Sequence, residues 1–324
     1  MNPIFLLPLS VIGAILASRT TPSDPPPRRA HHSIAYDEAR QRVILTGGST
    51  PIDDGRNFEF FNDLWSFDGT RWIKVAETGE KMSGSQLAYD TSQNRLVSFG
   101  GYAGASLGDV RVLVADAWQT IGRHPAILAA EPGFVYDTRR NRFVAFGGSD
   151  GPGRVHGETW EFDGTAWRNA AVTGPVARQG HLMVFDSRRG TTVVFGGGAR
   201  AEKGQRPVAL DDTWEYDGRV WSERRVPGPG PRSAAGAAFD SRRGLVILFG
   251  GVGSDGFLGD TWAWDGTTWK KLSDSGPAPR AMGYLAYDSR RDRVVLFGGR
   301  KGYPNGDLND TWEWDGTSWH QVGE

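Results

Sequence analysis

Cysteine is absent from the 324-residue sequence, and this absence removes several classes of site. Disulfide scaffolds, thiolate metal centres, cysteine nucleophiles and cofactors made from a cysteine cross-link all require the missing thiol. An excess of charge of one sign is missing too, because 37 basic and 38 acidic side chains leave a formal net charge of -1. A near-neutral chain of this kind argues against nucleic acid as the main partner.

Long apolar runs are also scarce, and the one at the N-terminus is short. It extends from Pro3 to Ala17, about 15 residues against the roughly 20 that a membrane span requires. Small residues at Ala14, Ala17 and Ser18 match a cleavage zone, so we predict a signal peptide over residues 1–18 and a secreted or periplasmic protein whose mature chain has no membrane span. No Lys or Arg precedes the run, which leaves an uncleaved anchor or a frayed terminus as the alternative. Residues 19–28 are rich in Pro, Ser and Thr and predict an extended linker.

Glycine, by contrast, is abundant, with 45 residues or about 14% of the chain, roughly twice the usual share. An apolar, strand-like run ends in a Gly-Gly pair six times, at Gly47-Gly48, Gly100-Gly101, Gly147-Gly148, Gly196-Gly197, Gly250-Gly251 and Gly298-Gly299. Successive pairs are 53, 47, 49, 54 and 48 residues apart. We interpret the glycines as positions of positive φ and close backbone approach. The spacing indicates six internal repeats that together account for residues 27–324.

Each repeat follows the same order of residues, which the last one shows clearly. Ala286-Tyr287-Asp288 ends a first strand, and an apolar run into Gly298-Gly299 forms the second. Trp312 lies in a third strand, and Asp315-Gly316 turns into a fourth strand that carries Trp319. The pattern predicts four short strands per repeat, joined by tight turns and one variable loop.

A unit of about 50 residues with four strands, a double glycine after the second and an aromatic residue on the third and fourth resembles the kelch repeat. The resemblance covers about nine-tenths of the chain. It implies an all-β fold, a six-bladed β-propeller of four-stranded antiparallel blades over residues 29–324, in which neighbouring blades cover each other's sheets. How the ring closes stays open: blade 6 packs on blade 1 without a shared strand, unless the proline-rich linker contributes one.

The 13 tryptophans recur at fixed positions of the repeat. The fourth strands carry Trp72, Trp118, Trp167, Trp221, Trp269 and Trp319, and the third strands carry the others. Aromatic residues at identical repeat positions predict packing between blades rather than a stacking platform for sugars or bases. Blade 2 departs from the pattern with Arg111 in place of a third-strand Trp and with a shortened Asp116-Ala117 turn, so we expect it to be the least regular blade.

Both hairpin turns of a blade fall on one face of a propeller, which we call the turn face. Thirteen arginines and fourteen acidic residues lie in these turns. Because the numbers match, we interpret the turn face as a solvated surface whose aspartates cap turns.

The opposite face, called here the loop face, carries the connections that vary: residues 49–61, 149–155, 198–210, 252–258 and 300–308, with a short one near Tyr102. Variable loops on a fixed scaffold are where recognition is expected. One repeated position at this rim holds Arg29, Arg178, Arg232 and Arg280, with Met82 and Ala129 in blades 2 and 3. Guanidinium groups round a channel mouth bind carboxylate or phosphate, and in kelch propellers arginines at comparable positions contact peptides or sugars.

An alternative role for these arginines is open at the sequence level. Each blade has an acidic residue at the start of its third strand: Asp63, Asp109, Glu158, Asp212, Asp260 and Asp310. Arginine–carboxylate pairs that hold blades together are therefore as reasonable as ligand contacts. We nominate the four arginines as tentative ligand-binding residues, together with His32 and His181, which occupy equivalent positions in blades 1 and 4.

Catalysis has weaker sequence support. None of the six histidines has metal-ligand spacing to a second His or carboxylate, so we predict no metal and no cofactor. A kelch sugar mutarotase or epimerase needs an acid–base pair at the rim, for which His32 or His181 with Glu158 or Asp212 is the available set.

The sequence thus predicts a non-catalytic, monomeric binding or scaffold protein that recognises a protein or a glycan through its loop face. The mutarotase or epimerase and a purely structural module of a larger assembly are the alternatives.

Overall fold

The computed structural model describes residues 25–124, 129–151, 154–199 and 208–323. The predicted signal peptide, residues 1–18, and the first part of the predicted linker, residues 19–24, lie outside this range. The described residues form six four-stranded antiparallel sheets, which are the blades, and in each sheet the strands are paired in chain order.

The strands of blades 1 to 3 have the following bounds. Blade 1 contains β1 (Ser33–Asp37), β2 (Arg42–Thr46), the loop hairpin β3 (Ser49–Ile52) and β4 (Asn57–Phe60), β5 (Asp63–Phe67) and β6 (Trp72–Glu77), with a 3-10 turn at Asp53–Gly55. Blade 2 contains β7 (Gln86–Asp90), β8 (Arg95–Phe99), β9 (Asp109–Val114) and β10 (Ala117–Arg123). Blade 3 contains β11 (Gly133–Asp137), β12 (Arg142–Phe146), the loop hairpin β13 (Ser149–Gly151) and β14 (Arg154–Val155), β15 (Thr159–Phe162) and β16 (Trp167–Asn169).

Blades 4 to 6 repeat the arrangement. Blade 4 contains β17 (Arg178–Gln179), β18 (Leu182–Asp186), β19 (Thr191–Phe195), β20 (Gly198–Ala199), β21 (Val208–Ala209), β22 (Thr213–Tyr216) and β23 (Trp221–Arg224). Blade 5 contains β24 (Gly236–Asp240), β25 (Leu245–Gly253), β26 (Gly256–Trp264) and β27 (Trp269–Ser273). Blade 6 contains β28 (Tyr284–Asp288), β29 (Arg293–Phe297), β30 (Thr311–Trp314) and β31 (Trp319–Val322).

The first strands of the six blades stand side by side in a closed ring. β1 contacts β7, and the contacts continue through β11, β18, β24 and β28 back to β1. Residues of all six first strands line a central channel of about 280 Å³. The predicted fold class, an all-β propeller of four-stranded antiparallel blades, is confirmed.

The double glycines join each blade to the next. Their φ angles are 57° to 71° at the first glycine and 91° to 109° at the second, a region that residues with a Cβ rarely adopt. At Gly196 an added Cβ would lie 2.6 Å from the carbonyl oxygen of Arg232 in the next blade, and the N–H of Gly197 donates to that same oxygen at 2.9 Å. These angles and contacts confirm that the pairs are positions of positive φ and of close approach to the backbone of the next blade.

Blade 6 joins blade 1 through the same bonds as every other pair of neighbours. The N–H of Gly299 donates to the carbonyl oxygen of Arg29 at 2.9 Å, and the N–H of Arg29 donates to the carbonyl oxygen of Leu308 at 3.0 Å. The four strands of blade 1 and the four of blade 6 each come from one continuous segment of chain. Among the described residues, the ring thus closes without a shared strand.

Apolar clusters fill the spaces between blades. The cluster between blades 4 and 5 includes Trp264 and Trp269, and the indole N–H of Trp269 donates to the hydroxyl oxygen of Thr213 in blade 4 at 2.9 Å. Equivalent bonds to the preceding blade are Trp72 to Thr311, Trp221 to Thr159 and Trp319 to Thr261. These fourth-strand tryptophans pack between blades, as predicted.

Blade 2 differs from the others at its outer hairpin. The turn of this hairpin lacks the Asp-Gly sequence that the other blades have. Its residues Ala115 and Asp116 both have positive φ. Val110 stands where blades 3 to 6 have a threonine. No helix among the described residues has the length and apolar character needed to cross a membrane.

Candidate functional site

Four blades repeat one buried arrangement at the loop-side rim, called here the rim pair. In blade 4, Arg178 Nη1 and Nη2 donate to Oδ1 and Oδ2 of Asp212 at 2.6 and 2.7 Å. Nη1 also donates to the carbonyl oxygen of Gly196, and Trp214 Nε1 donates to Oδ2 of Asp212 at 2.7 Å. The other rim pairs are Arg29–Asp63, Arg232–Asp260 and Arg280–Asp310.

The residues nominated from the sequence as tentative ligand contacts, Arg29, Arg178, Arg232 and Arg280, are buried and already bound to other groups of the chain. All four are at most 3% exposed. Their forked donors are used by the carboxylates and by a Gly-Gly carbonyl, and their Nε groups donate to carbonyls two residues upstream. Burying an arginine is tolerated only when its charge and donors are satisfied in this way. The alternative role, pairing with the third-strand acids, is the one that the geometry supports.

The rim pair links blades through the main chain of its arginine. The side chains of Arg178 and Asp212 belong to one blade, but the N–H of Arg178 donates to the carbonyl oxygen of His156 in blade 3 at 3.0 Å. Its own carbonyl accepts from Gly148, also in blade 3. Fixing the guanidinium therefore fixes the segment that connects two blades.

The carboxylates of the rim pairs are held in the charged form. Burial alone raises the pKa of Asp63, Asp212, Asp260 and Asp310, but the hydrogen bonds and charge of the paired arginine outweigh it, so each pKa is lowered. These acids are consequently occupied and ionised, and none is placed to exchange protons with a ligand.

His32 and His181 are packing residues between blades. His32 is fully buried, and its ring lies 5.6 Å from that of Tyr284 and 5.5 Å from that of Phe297, centroid to centroid. His181 lies 5.4 Å from Phe146 of blade 3. Burial, then the nearby Arg178, lowers the pKa of His181 to about 3, and burial with Arg29 lowers the pKa of His32 well below its ordinary value.

This placement does not assemble the acid–base pair considered from the sequence. The ring nitrogens of His32 and His181 have no hydrogen-bond partner in the described part of the chain. Asp212 is bound in its rim pair, and the side chain of Glu158 is 54% exposed. Within the described ranges, no group of three His, Asp or Glu side chains is arranged to hold a metal ion.

Blades 2 and 3 lack the rim pair and fill its place differently. In blade 2, Met82 occupies the rim position, and Arg111 of the third strand pairs with Asp109 at 3.2 Å. In blade 3, Ala129 occupies the rim position, and the buried indole N–H of Trp160 has no partner among the described residues.

The loop face has one cavity lined by exposed aromatic side chains, called here the aromatic groove. Its volume is about 310 Å³, and it lies among loops of blades 6, 1 and 2. Phe58 comes from the β3–β4 hairpin, Tyr102 from the short loop of blade 2 and Tyr303 from the 300–308 loop; they are 45%, 39% and 65% exposed. Phe60 lines the same cavity, with its ring centroid 6.0 Å from that of Tyr102.

A buried ion pair supports the groove from below. Arg300 Nε and Nη2 donate to Oδ1 and Oδ2 of Asp307 at 2.5 and 3.1 Å. The guanidinium carbon lies 4.6 Å from the ring centroid of Tyr303 and 5.8 Å from that of Phe58. A cation over an aromatic face is attractive, so Arg300 holds rings from two blades in place.

At the channel mouth the groove ends in a second ion pair. His31 precedes the first strand of blade 1, and Glu131 precedes the first strand of blade 3. His31 Nδ1 lies 2.5 Å from Oε1 of Glu131. Burial raises the pKa of Glu131, but the charge and hydrogen bond of His31 outweigh it and leave the pKa lowered. The groove therefore runs from an aromatic wall to one ionised carboxylate.

The sequence indicated the loops that form the groove but not its residues. Phe58, Tyr102 and Tyr303 are aromatic residues inside loops that otherwise vary in length and composition. Large apolar side chains in such loops are a signal for recognition that could have singled them out.

A model of the KLHDC2/KLHL20/DRC7 Kelch-repeats domain matches residues 133–323, more than half of the chain. No curated protein matches the sequence. The matched segment begins at the first strand of blade 3 and contains all the strands of blades 3 to 6. Kelch domains mediate protein interactions. With the four-stranded blades and the double-glycine contacts described above, the match shows that the chain belongs to the kelch-repeat family.

Proposed function

We propose that the protein is a non-catalytic scaffold that binds a partner protein through the aromatic groove. The partner supplies a segment with an apolar side chain, which inserts among Phe58, Tyr102 and Tyr303. The observation that carries the proposal is that these three side chains, the exposed aromatic ones in the described chain, line one cavity.

Composition favours a protein over a glycan as the partner. Aromatic residues and arginine are enriched where protein interfaces are most tightly packed. The polar side chains of Ser49 and Ser83 at the groove are short, Arg300 is already bound to Asp307, and His31 and Glu131 are bound to each other. A sugar needs several convergent polar groups to fix its hydroxyls, and this cavity offers few.

A peptide selected on the folded protein tests the proposal. Phage-displayed random peptides supply the probe, and calorimetry measures its Kd for the wild type and for the triple variant Phe58→Ser, Tyr102→Ser, Tyr303→Ser. We expect the Kd to rise about a hundredfold, because each aromatic anchor contributes a large share of such an interface. The matched control replaces three exposed valines elsewhere, Val114, Val176 and Val220, by Ser.

Equal loss of binding in the valine variant would contradict the groove as the site. Binding of a neutral glycan that the groove variant loses, with no peptide selected, would replace the protein partner by a sugar. Melting temperatures of both variants separate lost binding from lost folding.

We further propose that the protein is exported and acts as a monomer. The support for export is the apolar run from Pro3 to Ala17, which is followed by small residues. Expression of the full chain in a secreting host, followed by intact-mass measurement, is expected to give a product without residues 1–18. Retention of those residues in a cell-associated product would contradict export, and light scattering measures the oligomeric state.

A further inference from the structure

The turn face carries four exposed arginines in a row beside the channel, called here the arginine arc. They are the first arginines of the turns between the first and second strands in blades 3 to 6: Arg139, Arg188, Arg242 and Arg290. Each follows the last residue of an innermost strand by two positions. Blades 1 and 2 have Ala39 and Ser92 at this position, so the arc covers four consecutive blades.

The aspartates of these turns are already neutralised by the next arginine along the chain. In blade 4, Arg189 Nε donates to Oδ2 of Asp186 at 2.6 Å, and the carboxylate is buried. The same pairing occurs between Arg140 and Asp137, Arg243 and Asp240, and Arg291 and Asp288. Acidic and basic residues balance in number on this face. In blades 3 to 6, however, the aspartates that end the first strands are paired with the second arginines of the turns.

The arginines of the arc reach mainly uncharged groups. Arg139 donates to the carbonyl oxygen of Arg188, and Arg188 to that of Arg242. Arg290 Nη1 donates to Oε1 of Gln41 at 2.8 Å. Only Arg242, 73% exposed, lies near a carboxylate, that of Asp292 at 3.3 Å, within the described ranges.

In blades 3 to 6, the remaining acids of the turn face lie further out, apart from Asp292, whose carboxylate accepts two hydrogen bonds from Arg243. Those of the outer hairpins, Asp163, Asp217, Asp265 and Asp315, accept hydrogen bonds from the amides of their own turns. They follow the third strand of each blade, whereas the arc follows the first. Positive charge is therefore concentrated near the channel and negative charge at the periphery.

We propose that the arginine arc binds an acidic segment of a polypeptide. Guanidinium groups whose partners are carbonyl oxygens keep their charge and bind carboxylates through forked hydrogen bonds. A net charge of -1 for the whole chain disfavours nucleic acid, which favours proteins that are basic overall. The arc lies on the face opposite the aromatic groove, so it is a second binding surface and does not depend on the first.

Fluorescence anisotropy with labelled poly-glutamate tests the proposal. The variants are Arg139→Gln, Arg188→Gln, Arg242→Gln and Arg290→Gln combined in one chain. We expect a rise in Kd of about tenfold or more, the sum of several exposed ion pairs. The matched control makes the same change in charge at exposed arginines elsewhere: Arg56→Gln, Arg154→Gln, Arg219→Gln and Arg225→Gln.

The proposal holds if the arc variant loses affinity, the control variant keeps it and added salt weakens binding by the wild type. It is overturned if both variants bind alike, or if the wild type binds poly-glutamate no better than a neutral peptide of glutamine and glycine. Tighter binding to a single-stranded oligonucleotide or to phosphatidylserine vesicles also overturns it. If the quadruple variant melts early, the pairs Arg139→Gln with Arg188→Gln and Arg242→Gln with Arg290→Gln are tested instead, and no loss in either pair refutes the arc.

Discussion

The interface between blades 4 and 5 and the interface between blades 1 and 2 have the same strand topology but different contents. The first buries Trp264 and Trp269, and Trp269 is bonded to Thr213. The buried residues of the cluster between blades 1 and 2 are the aliphatic Ile44, Leu64, Leu96 and Leu113, and Tyr89 and Trp118 pack against them only partly buried. The main-chain bond from the double glycine is present in both. Main-chain bonds therefore define the ring, whereas side chains set how firmly each pair of blades is joined.

A turn-face contact differs between the two interfaces as well. Arg189 of blade 4 lies against Gly266 of blade 5, where an added Cβ would come within 2.7 Å of its guanidinium carbon. Blade 2 has no Asp-Gly turn to receive the corresponding arginine of blade 1. The aromatic groove is on the opposite face and lies over blades 6, 1 and 2. It therefore lies over the interface between blades 1 and 2, which has fewer of these side-chain contacts.

Removing a rim arginine is the largest expected disruption. Arg29→Leu leaves the buried Asp63 without its partner, and the loss of one member of a buried ion pair costs about 3–5 kcal/mol of unfolding free energy. Unfolding in guanidinium chloride measures the loss of stability, with the variant Arg219→Leu, at an exposed position, as control. Both partners of Arg111 in blade 2 are more exposed than Asp63, with Asp109 at 19% and Glu80 at 53%, so we expect a smaller loss for Arg111→Leu. Equal, small losses for both would contradict the structural role of the rim pair.

The acid sensitivity of the ring is expected to depend on His181. Its pKa is about 3 in the fold against 6.5 ordinarily, so the unfolded chain binds more protons between these values. The free energy of unfolding therefore decreases as the pH falls below 6.5, because the unfolded chain binds a proton that the buried His181 does not. The decrease is about 2 kcal/mol at about pH 5. His181→Phe removes the titrating group, and unfolding curves at several pH values should show a flatter decline. An unchanged slope would contradict the assignment.

The hydroxyl that receives a tryptophan N–H is expected to contribute less. Thr213→Val leaves Trp269 Nε1 buried without an acceptor, which costs about 1–3 kcal/mol. Leu64 already stands at this position in blade 1, so the change makes the interface of blades 4 and 5 more like that of blades 1 and 2. Urea unfolding measures the loss, and no change in midpoint would show that the bond is not needed.

The reverse substitution should strengthen the interface between blades 2 and 3. The N–H of Trp167 is buried without a partner among the described residues, and Val110 lies where blades 3 to 6 have a threonine. Val110→Thr keeps the shape of the side chain and supplies the acceptor, for an expected gain of about 1 kcal/mol. Thermal unfolding beside Val112→Thr, a buried position without a waiting donor, tests whether the gain is specific.

The sequence predicted the fold because its signals are local. A Gly-Gly pair with positive φ and an Asp that caps the next turn act within a few residues, and six copies confirm one another. The role of Arg178 was not predictable in the same way. Its partner, Asp212, is 34 residues away, and the choice between that carboxylate and a ligand depends on where the neighbouring blade holds the main chain.

The groove was predictable only as a region. Phe58, Tyr102 and Tyr303 come from three different blades, and blades 6 and 1 become neighbours only when the ring closes. The balanced charge of the turn face does not show where on that face the charge lies, for a similar reason. Counting residues gives no information on which aspartates are already bound to arginines.

Amide hydrogen exchange of the protein, with and without a peptide selected on it, tests the proposed site most directly. We expect the peptide to slow exchange in the β3–β4 hairpin, around Tyr102 and in residues 300–308, and to leave the rim arginines unchanged. Protection confined to the loops of blades 4 and 5, or to the channel rim around Arg178 and Arg232, would contradict recognition through the aromatic groove.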